Sequence, residues 1–224
     1  MNMMRFTTMK TKLRKYPSIF LILLLAISSC FLTGCVNQHP KDSKKSSQGE
    51  SVETMLEITD PKEKQAVLNA KAKVKALSGN PRIVATSPAV ADICDKLDLD
   101  LVGVPKSSVS KIPSRYKKVK KVGLAMSPDM EIVSSLNPDW ILAPSSLETD
   151  LKLKFEELKN TEYAFLNLRS VQGMYRSVQE LGEIFGKQQE AEKMTKEFTT
   201  FYKSYTKRNK NKKHPKVLVL MGLP

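Results

Sequence analysis

Few residues of this 224-residue sequence stand where their chemistry could be put to use. Met126 falls in the run Gly123-Leu124-Ala125-Met126-Ser127-Pro128, just ahead of a helix start at Ser127-Pro128-Asp129. A thioether in a loop before a helix is a soft, neutral donor that a transition metal can accept. Most methionines fill gaps in a core, and taken alone Met126, one of ten, reads that way. Two other short runs could hold an anion, because backbone N–H groups at helix starts are ready anion sites. Thr86, Ser87 and Ala89 open one helix, and Ser107 and Ser108 follow the apolar run ending at Val104; plain capping is the simpler use of such residues. Pro88, inside the first group, has no N–H to offer. Catalysis finds little support: there is no Gly-x-Ser-x-Gly elbow, phosphate loop or paired-histidine motif, and nine glycines are spread without pattern. A zinc or manganese site wants three or four His/Asp/Glu ligands. Only His39, in a polar stretch, and His214, expected on a solvated surface, are available.

The elements that must position these residues begin after a leader. Arg5, Lys10, Lys12, Arg14 and Lys15 form a basic stretch without an acid, followed by the apolar run Ile19 to Ile27 and then Ser28-Ser29-Cys30. That order is a secretory signal, and the run is short of the ~20 apolar residues a spanning helix needs. Leu32-Thr33-Gly34-Cys35 resembles the lipobox of bacterial lipoproteins. Residues 1–34 are therefore expected to be a signal peptide, with Cys35 the lipid attachment point and first mature residue, carrying acyl chains such as palmitate. Anchoring by more than one chain is stable, whereas a single chain holds only marginally. Removing the leader lowers Lys+Arg from 37 to 32 while Asp+Glu stays at 23, so the excess becomes +9 rather than +14. A basic surface suits nucleic acid, anionic lipid or an acidic ligand, and export makes nucleic acid the least expected partner. Cys30 leaves with the signal and Cys35 is consumed by lipid, so Cys94 has no partner for an internal disulfide.

Residues 35–80 read as the lipidated cysteine and a polar tether, because Val36 to about Glu53 is Ser, Lys, Gln and Gly with hardly an apolar residue. Pro61 to Leu77 suits a solvated helix, stopped by Gly79-Asn80-Pro81. The folded part is expected from Arg82. Ile83 to Ala85 makes a strand, Thr86-Ser87-Pro88 caps a helix through Leu97, and Leu101 to Val104 is a second strand, a compact βαβ unit. A helix to about Leu136, a strand at Trp140 to Ala143, a helix over about Leu147 to Leu158 and a strand near Tyr163 to Leu166 complete an α/β lobe over 81–170. Residues 171–213 turn to helix alone: Val171 to Phe185, a stop at Gly186, and Lys187 to about Asn209, roughly 34 Å long. In the last helix Ala191, Met194, Phe198, Phe201 and Tyr205 share one stripe, expected as packing. Residues 214–224 carry an apolar strand at Val217 to Met221 with no following neighbour to pair with, so the reading expects a fragment lacking most of a second lobe.

Three blocks in order, Pro81 to Val104, Lys121 to Pro144 and Lys213 to Pro224, resemble the IsdE-like haem-binding lipoproteins of iron-regulated surface determinant systems. That group belongs to the periplasmic-binding-protein superfamily. The resemblance implies an α/β fold: a parallel-sheet N-terminal lobe, a long interlobe helix and the first strand of a second lobe. It implies a receptor and not an enzyme, with haem as transported ligand, an ABC permease as acceptor and an upstream haem-donor surface protein, lipid-anchored outside the bacterial cell membrane. The family's axial methionine falls on Met126, and its opposing histidine comes from a second lobe that these residues do not reach. The propionates would meet Thr86, Ser87, Ala89, Ser107 and Ser108. Permease docking by an acid near the lobe tip matches Glu148 or Asp150, although acids there also favour the helix dipole. A siderophore or cobalamin cargo on the same fold needs no iron ligand and leaves Met126 incidental. An adhesive lipoprotein holding envelope polymers by charge is a further alternative.

Overall fold

A computed structural model of the chain describes residues 5–6, 58, 60–213, 216 and 218. Cys35, His39, His214, the signal segment apart from residues 5–6, and all but residue 218 of the strand expected at Val217 to Met221 lie outside the described residues.

Six strands form one sheet in the order β1-β8-β7-β2-β3-β4: Arg5–Phe6 (β1), Ile83–Ala85 (β2), Leu101–Val104 (β3), Lys120–Lys121 (β4), Trp140–Pro144 (β7) and Glu162–Leu166 (β8). Gly123–Leu124 (β5) and Ser127–Pro128 (β6) make a separate hairpin. All pairings from β8 to β4 are parallel, and β1 lies antiparallel along β8. The helices are Pro61–Lys75 (α1), Pro88–Lys96 (α2), Met130–Ser135 (α3), Glu148–Glu156 (α4), Val171–Phe185 (α5) and Gln188–Asn209 (α6).

Strand side chains alternate in direction, so a sheet covered on both faces must be apolar at every position. Ile83, Ala85, Trp140, Leu142, Ala164 and Leu166 join one buried cluster with α1, α2, α5 and the start of α6. Val84, Ile141, Ala143, Tyr163 and Phe165 join the other, with Val133 of α3 and Leu151 and Phe155 of α4. Complete burial of one such aliphatic or aromatic side chain contributes roughly 1.5–3 kcal/mol, so the paired clusters hold the sheet between two helical layers. Ser87 caps α2 by accepting from the Val90 N–H at 3.3 Å, and Ser170 caps α5 by accepting from the Gly173 N–H at 3.0 Å. Gly186 ends α5 with φ 71, a left-handed residue where a side chain would be strained.

Two expectations about helices are corrected. The folded part starts before Arg82, because α1 is docked: Val67 and Ala70 are buried in the first cluster, and Arg176 of α5 donates to Glu63 at 2.9 Å. Lys71–Glu183 and Lys73–Glu162 are further ion pairs from α1 to the body. Its apolar points are few and interleaved with lysines, and a surface helix needs only a narrow buried stripe. The stripe on α6 is also split. Ala191 is buried and Phe198 stacks on Tyr175 at 4.5 Å, whereas Phe201 and Tyr205 are 61% and 52% exposed.

Candidate functional site

The five parallel strands end along one edge of the sheet. From β2 the chain crosses to β3 on one side, and β7 pairs β2 on the other, so the direction of winding reverses between β2 and β7. In open parallel sheets that reversal leaves a crevice beyond the strand ends, where ligands bind. Each described residue singled out from the sequence can be placed relative to this edge.

Thr86, directly after β2, donates its N–H to the Leu142 carbonyl at 3.0 Å, and its hydroxyl reaches the same oxygen at 3.3 Å. Both groups thus extend the β2–β7 pairing, and the Thr86 N–H is not available to an anion. Ser87 is buried with its hydroxyl engaged as the α2 cap, and Ala89 is exposed in the first turn of that helix. Ser107 lies in the loop after β3, where its hydroxyl accepts from the Ser110 N–H at 3.0 Å, and Ser108 beside it is exposed. A helix cap accounts for the Ser87 hydroxyl and a local loop bond for that of Ser107, while Ala89 and Ser108 are open to solvent.

Met126 occupies the tip of the β5–β6 hairpin. Gly123 faces Pro128 and Leu124 faces Ser127, which leaves Ala125 and Met126 as the two turn residues. The expected cap run is corrected here: Asp129 alone caps α3, accepting from the Glu131 and Ile132 N–H groups at 3.1 and 3.0 Å, while Ser127 and Pro128 belong to β6. A helical extension back to Ser127 would forfeit the β5–β6 bridge. The hairpin is seated by three backbone bonds: Val122 N–H to Val104 O at 2.9 Å, Asp129 N–H to Val122 O at 2.8 Å, and Lys106 N–H to Gly123 O at 2.6 Å. Gly123 takes φ 94, a conformation suited to glycine. Seated in this way at the ends of β3 and β4, the hairpin presents a Met126 side chain that is 73% exposed. A thioether left in water forfeits the burial that keeps most methionines inside a core.

Sequence reasoning missed Ser145. Ser145 follows the last residue of β7 at the same edge, and its Oγ is buried with no hydrogen-bond partner among the described residues. A buried hydroxyl without a partner is costly unless a guest or water completes it. No sequence signal distinguishes it from Ser146. Glu148 and Asp150 stand in the first turn of α4, whose N-terminus has no side-chain cap, so both suit the helix dipole.

The turn that leads into β4 is held at the opposite end of the sheet. Arg115 donates to Asp98 and Asp100, each at 2.8 Å, and Lys187 reaches the second oxygen of Asp98 at 3.0 Å. The hydrogen bonds from Lys187 and then Arg115 hold the exposed Asp98 carboxyl below its ordinary range. Among the described residues no group of three or more His, Cys, Asp or Glu could hold a metal ion. None of their helices is long and apolar enough to cross a membrane.

A parallel sheet with a winding reversal and an exposed, turn-borne thioether at its edge makes a binding surface. Residues 83–224 match the family described as periplasmic binding protein, and the chain belongs to that family. It is 37% identical over 148 residues to the high-affinity haem uptake system protein IsdE of Staphylococcus aureus strain Newman, covering 66% of this chain and 50% of that protein. The chain thus spans about half the length of the curated relatives it matches. Among solved structures it resembles an ABC transporter substrate-binding protein from Listeria monocytogenes EGD-e, with 43% identity and a TM-score of 0.60 over 65% of this chain and 56% of that one. It also resembles S. aureus IsdE complexed with haem, with 32% identity and a TM-score of 0.57 over 61% of this chain and 53% of that one. These relatives are named for uptake or substrate binding, which sets the chain among binding proteins and not enzymes.

Proposed function

We propose that this chain carries the haem-capturing lobe of a receptor that delivers haem to an ABC permease, held outside the cell membrane by lipid on Cys35. The observation that supports this most directly is Met126, a thioether presented to solvent at the tip of a backbone-seated hairpin beside the sheet's binding edge. Methionine is among the side chains that ligate haem iron axially. The similarity to a protein named for haem uptake, and to one solved with haem, supports the same cargo. In this reading Met126 binds the iron from one face. The N–H groups near Ala89 and Ser108 and the hydroxyl of Ser145 would receive the propionates, and Glu148 or Asp150 would meet the permease. An upstream surface protein would be the donor. The chemistry is capture and release: no bond of the guest is broken, and the chain orients the macrocycle and keeps it from water.

The test is titration of the full chain with ferric haem, read in the Soret region, beside Met126→Ala. Because Met126 is largely exposed, the variant should keep its thermal midpoint while losing at least about tenfold in affinity and the spectral features of thioether ligation. An unchanged spectrum and affinity in Met126→Ala would overturn the assignment and favour a siderophore or cobalamin cargo, which makes no use of a thioether.

A further inference from the structure

From Leu101 to Pro128 the chain carries Lys106, Lys111, Arg115, Lys117, Lys118, Lys120 and Lys121, and no acid. Arg115 is spent on Asp98 and Asp100, but no ion pair among the described residues engages any of the six lysines. Lys106, Lys111, Lys117, Lys118 and Lys120 are exposed and Lys121 is half-buried. Their placement is as uneven as their sequence. β4 is the edge strand, with Lys120 opposite Gly103 and Lys121 opposite Val104, so these two lysines lie on the sheet's open margin, and Lys117 and Lys118 continue the run back into the turn that leads into β4. The Lys106 N–H meets Gly123, at the base of the hairpin bearing Met126. The nearest acid beyond the hairpin, Asp129, is occupied as the α3 cap.

Lysines on an edge strand deter pairing with other strands, which accounts for Lys120 and Lys121. It does not account for Lys106, Lys111, Lys117 and Lys118, which lie off the strand, nor for the lack of any acid among them. We infer that this lysine margin is a capture surface for an anionic planar guest, raising its concentration at the sheet edge and guiding its carboxylates toward the Met126 hairpin. Charge of one sign beside a cleft accelerates association more than it tightens the complex, and salt removes the effect. The inference rests on the haem reading and adds the route of entry.

Stopped-flow mixing of the full chain with ferric haem at several salt concentrations tests it. The variant Lys117→Glu, Lys118→Glu, Lys120→Glu changes exposed residues that are not among the proposed guest contacts. Its association rate constant should fall roughly tenfold at low salt and converge on the wild-type value near 0.5 M salt, with dissociation changed less than about twofold. The control Lys152→Glu, Lys154→Glu, Lys159→Glu alters net charge equally on and after α4 and should slow association far less. Equal slowing by both variants, or a rate indifferent to either, overturns the capture surface while leaving the haem reading intact. Failure of the wild-type chain to take up haem overturns both.

Discussion

The Lys106 amide donates to the Gly123 carbonyl at 2.6 Å, so the loop bearing Ser107 and Ser108 and the hairpin bearing Met126 share one base. Gly123 can accept in that position because its φ is 94, and a β-carbon there would come within 2.9 Å of the Asp129 nitrogen and 3.1 Å of the Ser127 oxygen.

Gly123→Ala should therefore cost about 1–3 kcal/mol in urea unfolding and weaken haem capture, because the backbone strain falls where the thioether is aimed. Gly186→Ala is the comparison: it shares the left-handed backbone but meets nothing within 4 Å, so it should cost about 1 kcal/mol and leave capture unchanged. If both variants weaken capture equally, the hairpin base does not set the position of Met126.

A buried acid pair makes stability depend on pH. Glu180 is 1% exposed on α5, beside Glu63 of α1 and Arg176. Burial first, and then the neighbouring Glu63 carboxyl, push its carboxyl up to about 9, against the pull of Arg176. Between an unfolded value near 4.5 and that raised value the native state holds the extra proton, so stability falls as pH rises through the window, by at most about 1.4 kcal/mol per pH unit. Glu180→Gln keeps the neutral form at every pH. From pH 5 to pH 8 the wild type should lose up to about 4 kcal/mol relative to this variant in parallel denaturant titrations. Parallel pH profiles would show that Glu180 is ionised in the folded chain.

Strands were the most legible part of the sequence because both faces of the sheet are covered. Runs such as Trp140–Pro144 and Leu101–Val104 are apolar throughout, and their bounds follow from Pro and Asp at their ends. The cap at Ser87 and the stop at Gly186 are equally local and could be read. The hairpin was not, because β5 and β6 are two residues each and are held by bonds to Val104 and Lys106 that no local pattern encodes. The position of Met126 within its block was thus available from the sequence, but its exposure was not. The docking of α1 escaped for a related reason: Glu63 and Lys71 look like solvated charges until α5 brings Arg176 and Glu183 opposite them.

Cys94 offers a probe of the first cluster. It is fully buried on α2, and burial pushes its thiol up to about 12, so the reactive thiolate is scarce in the native state. In a chain carrying Cys30→Ser and Cys35→Ser, a thiol reagent should label Cys94 only as fast as the core opens. Labelling should therefore track unfolding free energy as urea is added. Rapid labelling without denaturant would show that α2 detaches from the sheet independently.

The two halves of the α6 stripe should respond differently to truncation. Phe198 is half-buried and stacked on Tyr175, so Phe198→Ala removes an aromatic contact worth about 0.5–1.5 kcal/mol together with part of its burial. A loss of about 2 kcal/mol in unfolding free energy is expected. Phe201 touches Tyr205 at 6.1 Å, but both are more than half exposed, so Phe201→Ala should cost less than about 0.5 kcal/mol. The difference tests where the packing of α6 weakens: up to Phe198 the helix is held by α5, Tyr202 still packs on Phe198 at 5.7 Å, and Phe201 and Tyr205 are more than half exposed. Comparable losses at Phe198 and Phe201 would mean that packing continues to the end of the helix, and that its last turns are as fixed as its first.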